Sequence, residues 1–235
     1  MQERFQETGQ LLRKLLDRND RNPEAHKLMG LTLFFYKEYV LAEHELAIAL
    51  EQDPADLEAL YYLGRVYYTQ NNFGPAVKAF ERLVAADQKS YKGYDNLGLC
   101  YQALGRAAGA IEAFQRAQEL ARNLDPAYDW PHANLAALLI QENRLDEALP
   151  AAREALRINP QSARNHYLVA KALARGAGTE ESIQNLHRAI ELDPQYAEPH
   201  YLLGQVFQKL GRREDATREF ALFEQLSKQS PRKKN

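Results

Sequence analysis

Four of the six histidines in this 235-residue chain share a register, which makes them the first candidates for metal chemistry. His132, His166 and His200 are spaced by 34 residues, and His26 falls in the same slot once a four-residue insertion is allowed for. Each copy stands at the fourth position of a helix, and consecutive copies belong to neighbouring helix layers on the order of 10 Å apart. Zinc needs its ligands about 2 Å from one ion. The four therefore read as packing residues repeated by the register. His44 and His187 have no ligand-spaced Cys or His beside them, so neither metal nor cofactor is expected. The single cysteine, Cys100, cannot form an internal disulfide, and the sequence gives no sign of an oxidising compartment.

A catalytic reading fares no better. The chain has no phosphate-cradling glycine loop, no nucleophile elbow and no HExxH helix. Acidic pairs such as Glu180-Glu181 and Glu214-Asp215 fall in the first turn of helical segments, where the helix dipole favours negative charge. No enzymatic activity is expected. The formal net charge of -2 removes any general attraction for polyanions, so nucleic acid is not an expected partner. The longest apolar run, residues 135–140, is far short of the roughly 18 that a membrane helix needs, and no membrane span is expected. No signal peptide is visible at Met1, which points to the cytoplasm, or to the periplasm if a signal segment has been removed.

What positions these side chains is a repeat. Gly30, Gly64 and Gly98 are 34 residues apart, as are Ala42, Ala76 and Ala110. After the insertion the register resumes with Ala136, Ala170 and Gly204 in the glycine slot and Ala148, Ser182 and Ala216 in the alanine slot. In the second copy, Leu60, Leu63, Gly64 and Tyr67 share one helical face, and Ala76, Phe80 and Leu83 share another. Two antiparallel helices can approach closely where one offers no bulky side chain, which gives the small slots their reason. Asn71-Asn72, Gly105, Asn143 and Gly211 mark turns within the hairpins, and Asp53-Pro54, Asn159-Pro160 and Asp193-Pro194 mark those between them. A period of two amphipathic helices is the sign of a stack in which each hairpin buries its apolar face against its neighbours.

The arrangement resembles the tetratricopeptide repeat family, whose pattern the sixth copy carries as His200, Leu203-Gly204, Phe207, Ala216 and Phe220. The resemblance implies an all-α, right-handed superhelical α-solenoid of six helix-turn-helix repeats, at residues 23–56, 57–90, 91–128, 129–162, 163–196 and 197–230. Residues 1–22, with Phe5, Leu11, Leu12, Leu15 and Leu16, are expected to form an N-terminal capping helix, and residues 231–235 a disordered basic tail. The turn at residues 175–178, with two glycines in four, is expected to be the softest joint. The insertion at residues 125–128 is either a tolerated loop or, with Tyr128 and Trp130, an aromatic contact site.

In this family the first helices line a concave groove, and the resemblance implies that their positions two, five, six, nine, twelve and thirteen meet a ligand. Carried onto this sequence, the candidates are Lys27, Tyr61, Arg65, Tyr68, Lys92, Asn96, Trp130, Asn134, Arg164, Tyr167, Lys171 and Tyr201. Phe34, Phe35, Arg175 and Lys209 fall on the same positions. The tyrosines offer ring area and a hydroxyl at low entropic cost. Asn96 and Asn134 could pair with a peptide backbone. Cations outnumber anions on this face, so a partner segment carrying Asp, Glu or a free carboxylate is expected. The carboxylate clamp of chaperone-tail binders is absent, because Leu31, Tyr62 and Asn96 stand where it needs other residues. The expected function is a non-enzymatic protein-interaction scaffold. The alternatives are a pilotin-like factor of bacterial envelope or pilus assembly, and a scaffold that self-assembles through the apolar face of its last helix (Phe220, Leu222, Phe223, Leu226).

Overall fold

The computed structural model describes residues 11–12, 14–15, 19–174 and 179–229. Most of the expected capping helix, the 175–178 turn and the terminal basic tail lie outside the described residues. Twelve α-helices pair into hairpins among those described, and no strand occurs among them. They are α1 (Pro23–Phe35), α2 (Tyr39–Gln52), α3 (Leu57–Thr69), α4 (Phe73–Ala86), α5 (Tyr91–Ala103), α6 (Ala107–Leu124), α7 (Trp130–Gln141), α8 (Leu145–Ile158), α9 (Ala163–Leu173), α10 (Thr179–Leu192), α11 (Ala197–Lys209) and α12 (Arg213–Gln229). The fold class is all-α helical repeat. The chain divides into two compact units, residues 1–120 and 121–235.

Local chemistry sets the helix boundaries. Asn22 and Asp56 accept from the amides of Ala25 and Ala59 at 3.1 and 2.8 Å, and Ser162 accepts from Asn165 at 3.2 Å, each satisfying one orphan donor of a helix start. In five hairpins the turn passes through one left-handed residue: Lys37, Asn71, Gly105, Asn143 and Gly211, with φ between 59° and 76°. Four are the residue types that such a turn favours. Lys37, at φ 64°, is not, and no sequence rule marks it.

In the first unit α1 packs against α2 and α3, and α4 against α3 and α5. Its core holds Phe34, Leu46, Leu60, Leu63, Val66, Phe80, Leu83, Leu97 and Cys100. The glycine slot meets the large residue sixteen positions on, in the second helix of its own hairpin. A β-carbon on Gly64 would lie 2.7 Å from the Phe80 ring, and one on Gly98 would lie 2.6 Å from that of Phe114. The small residues are thus sockets for aromatic rings as well as points of helix contact. Burial pushes the Cys100 thiol up to about 12, so it stays protonated and inert.

In the second unit α7, α8 and α9 pack together, followed by α10, α11 and α12. Leu186, Leu203, Val206, Phe207 and Ala216 cluster with Ala170. Ser182, in the alanine slot, is fully buried and donates to the Ala170 carbonyl at 3.0 Å, so its hydroxyl carries no unsatisfied cost. A second buried polar knot ties α9 to what precedes it. The Asn165 amide nitrogen donates to Asp129 Oδ2 at 2.6 Å and to the Ala155 carbonyl at 3.0 Å, while its own amide oxygen has no partner.

Candidate functional site

The repeat brings α1, α3 and α5 side by side in the first unit and α7 beside α9 in the second. In the first unit the face is dominated by rings. Phe34 and Phe35 of α1 each meet Tyr62 of α3 edge-on, with centroids 5.2 and 5.7 Å apart, and Tyr61 meets Tyr62 at 5.3 Å. The Arg65 guanidinium lies over this cluster, 4.8 Å from the Phe34 centroid, 5.7 Å from Tyr61 and 5.9 Å from Tyr62. Among the described residues no carboxylate comes within ion-pair distance of it. Phe35 is 64% exposed, which leaves the rim of the platform open.

The other candidates of this unit divide. Lys27 is only 12% exposed at its side chain and is held by Glu24 at 2.8 Å, Asp56 at 3.1 Å and Glu58 at 3.7 Å. Burial alone would lower its pKa, but the Glu24 and Asp56 carboxylates outweigh that and hold it above its usual value. Lys27 therefore cross-links α1 to α3 as a neutralised charge, not as the groove cation expected from the sequence. Tyr68 packs its half-buried ring against Phe73 at 5.5 Å. Asn96 donates to the Lys92 carbonyl on its own helix at 2.8 Å, and Lys92 is exposed with its ammonium 5.6 Å from the Tyr91 centroid.

In the second unit Arg164 joins two candidates. It stacks 5.1 Å from the ring centroid of Trp130, which is 52% exposed, and donates to Asn134 Oδ1 at 2.8 Å. Asn134 is itself buried and positions Arg164, which differs from the expectation that its amide lies open to a peptide backbone. Lys171 sits 5.3 Å from the Tyr167 centroid, and burial pushes the Tyr167 hydroxyl up to about 12. The Tyr201 ring meets Phe220 at 5.8 Å and Phe223 at 5.1 Å on α12. Tyr61, the matching residue of the second hairpin, meets Phe80 in the same way at 6.2 Å, and Tyr201 is 45% exposed.

The register histidines do more than pack. His26 Nδ1 lies 2.7 Å from Glu45 Oε2 and His200 Nδ1 lies 2.7 Å from Glu219 Oε2, while His166 Nδ1 meets Asn185 Oδ1 at 2.8 Å. Every pair spans nineteen residues, the offset that binds the two helices of one hairpin. Burial alone would lower the pKa of His26, but hydrogen bonds to the Asp20 carbonyl and the Glu45 carboxylate raise it above the ordinary 6.5. Both partners are acceptors, so only the doubly protonated ring satisfies both. The stability from this contact is full below pH 6.5 and is lost as pH rises through the raised folded value. His132 has Ala151 at the paired position, and burial lowers its pKa, so its contribution has the opposite sign, present above 6.5 and lost as pH falls. Imidazole carbon-bound proton titrations are expected to give a midpoint above 6.5 for His26 and below it for His132. A reversed order would refute the assignment.

Among the described residues no group of three or more His, Cys, Asp or Glu could hold a metal ion, and no helix is long and apolar enough to cross a membrane. Stacked hairpins, three of which seat a phenylalanine ring against the small slot, with a face of rings and cations on their first helices, define an all-α helical-repeat protein. Tetratricopeptide repeat profiles match residues 38–91 and 92–161, and a TPR repeat profile matches residues 179–211, together about two thirds of the chain. The chain belongs to the tetratricopeptide repeat family.

Among curated proteins it is 25% identical over 154 residues to the tetratricopeptide repeat-containing protein trd-1 of Caenorhabditis elegans, covering 64% of this chain and 19% of that protein. It is 24% identical over 161 residues to the DnaJ homolog subfamily C member 7 homolog of Dictyostelium discoideum, covering 63% of this chain and 30% of the other. The match thus spans less than a third of the length of either relative. Among solved structures, Pseudomonas aeruginosa PilF superposes with a TM-score of 0.75 at 20% identity, covering 87% of this chain and 91% of that one. YrrB, described as a TPR protein with an unusual peptide-binding site, gives 0.62 at 23% identity, covering 80% and 95%. These likenesses define the fold.

Proposed function

We propose that the protein is a non-enzymatic interaction scaffold whose first-helix face in the first unit binds a partner segment bearing a carboxylate beside an aromatic or aliphatic side chain. The observation that carries this is Arg65, stacked on Phe34, Tyr61 and Tyr62 without a carboxylate partner among the described residues. A guanidinium held over rings is weakly hydrated and has little further freedom to lose, so a carboxylate can take its fork at low entropic cost. The exposed Phe35 ring beside it suits a neighbouring apolar side chain. In the second unit Lys171 beside Tyr167 likewise sets a cation against a ring. That YrrB is described as carrying a peptide-binding site on a similar fold supports the reading. A part in pilus assembly has only the likeness to PilF beside it, and 20% identity speaks for the fold alone.

The test is an array of acidic peptides, scored by fluorescence anisotropy. An affinity near micromolar, about -8 kcal/mol, is expected for the best of them. Arg65→Glu is expected to weaken that binding at least tenfold, about 1.4 kcal/mol. Lys27→Gln, at a cation already neutralised, is expected to change it little. No preference for acidic peptides, or equal effects of the two substitutions, would contradict the proposal.

A further inference from the structure

On α5 the residues Tyr94, Leu97 and Tyr101 follow one another at i, i+3 and i+7, on the side of the helix opposite Lys92 and Asn96. They do not face the aromatic platform. With Arg106, Gly109, Glu112, Ala113 and Arg116 of the second helix and its turn they line an open pocket of about 550 Å³. Leu97 and Ala113 form its buried floor.

The repeat explains why the hole is here. The third residue of each second helix is Leu41, Pro75, Gly109, Glu147, Glu181 or Asp215, and the seventh is Glu45, Ala79, Ala113, Ala151, Asn185 or Glu219. In the first, fifth and sixth hairpins the seventh residue pairs with the register histidine, and in the second the histidine slot holds the buried Leu60, with Ala79 buried at the seventh position and Pro75 at the third. The third hairpin alone combines a glycine and an alanine there, with Tyr94 in the histidine slot. A β-carbon on Gly109 would touch the Tyr101 ring at 3.3 Å, so residue 109 faces directly onto the pocket wall.

Two of the side chains around the opening already have partners. Tyr101 donates to Glu81 Oε1 at 2.9 Å, and Arg116 pairs with Glu119 at 2.6 Å. Arg106 has no carboxylate within ion-pair distance among the described residues. An aromatic-walled hole with an uncommitted guanidinium at its edge suits a planar ring on a chain that also carries an anion. We infer that this pocket is a second docking site, on the reverse face of the first unit, for a partner segment in which an aromatic residue stands next to an acidic one. The inference stands independently of the first-helix face, since the two share no residue.

The probe is the blocked dipeptide N-acetyl-Phe-Asp-amide, titrated into the full chain and followed by amide nitrogen–proton correlation spectra. Saturable shifts are expected at Leu97, Gly109 and Ala113. Replacing the probe by its Phe-Asn counterpart, or the protein by Arg106→Gln, is expected to weaken binding several-fold, and both changes together no further than either alone. Gly109→Leu fills the hole, improves the helix propensity of its site, and is expected to abolish the shifts. Arg65→Glu is expected to leave them intact, which separates this pocket from the other face. Absence of saturable shifts at these amides, their survival in Gly109→Leu, or equal binding of the Phe-Asn probe would overturn the assignment. Arg106 lies exposed in a turn, so its substitution leaves the fold standing as a control.

Discussion

Gly64→Val is expected to destabilise the first unit by about 2–3 kcal/mol, near the upper end of what overpacking a core costs. The glycine has no β-carbon to place, and one added there would lie 2.7–2.8 Å from three carbons of the Phe80 ring, which is fully buried. Relief would require Phe80 to leave its rotamer or α3 and α4 to move apart, and Ala76 at 0% exposure leaves little slack between them. The effect belongs to one contact, so Phe80→Leu, which shortens the opposing side chain, should couple with it. The double mutant is expected to be at least about 1 kcal/mol more stable than the sum of the single effects. Gly74 is the control, because a β-carbon there meets nothing within 4 Å and Gly74→Ala should cost nothing measurable. Urea unfolding gives the total, and amide exchange locates it. Protection should fall at Val66 and Leu83 and persist at Val169 and Leu203 in the other unit. Uniform loss across both units, or equal costs at Gly64 and Gly74, would show that the socket is not what the glycine is for.

Asn165→Asp is expected to cost the second unit at least about 3 kcal/mol at neutral pH. The amide nitrogen of Asn165 is 2.6 Å from Asp129 Oδ2 and 3.0 Å from the Ala155 carbonyl, and both Asn165 and Asp129 are buried. The substitution turns a donor into an acceptor, strands the Ala155 carbonyl, and sets two carboxylates against each other out of water. One of them must then bind a proton, so the folded-state pKa of the pair rises above that of the unfolded chain. The native state binds more protons than the unfolded one, and stability therefore increases as pH falls. Urea midpoints for the variant should rise between pH 7 and pH 5 relative to the parent. Asn165→Ala, which removes the donor without adding charge, should cost less and show a weaker pH dependence of the same sign. A pH-independent cost in the aspartate variant would mean that the Asp129 contact is not made.

Both substitutions test features of very different legibility. Gly64 stood out in the sequence because small residues return every 34 positions, and a backbone that must pass close to a bulky neighbour can use few residue types. Its partner did not stand out. The sequence asked only that one helix offer no bulky side chain, and the structure shows what takes that space, the Phe80 ring. Asn165 carried no signal, since a buried asparagine is defined by oxygens thirty-six and ten residues away. The same holds for the histidine slot, where repetition marked His26 and His200 but only the fold showed Glu45 and Glu219 nineteen residues on.

The candidate ligand face shows the same division. Arg65, Tyr61, Arg164 and Lys171 could be placed by register, because position in a repeat fixes which way a side chain points. Register is silent on what a side chain then meets. Lys27 is consumed by three carboxylates, Asn134 is buried under Arg164, and Tyr201 turns to the rings of α12.

The sequence by itself determined the hairpins, their number and the family, because each follows from periodic local preferences that repeat until chance is no explanation. Tertiary structure alone decided which cations remain available, which small residues are sockets and where a hole is left beside Gly109. Those depend on pairs of residues brought together across helices, and no single position carries the information for a pair.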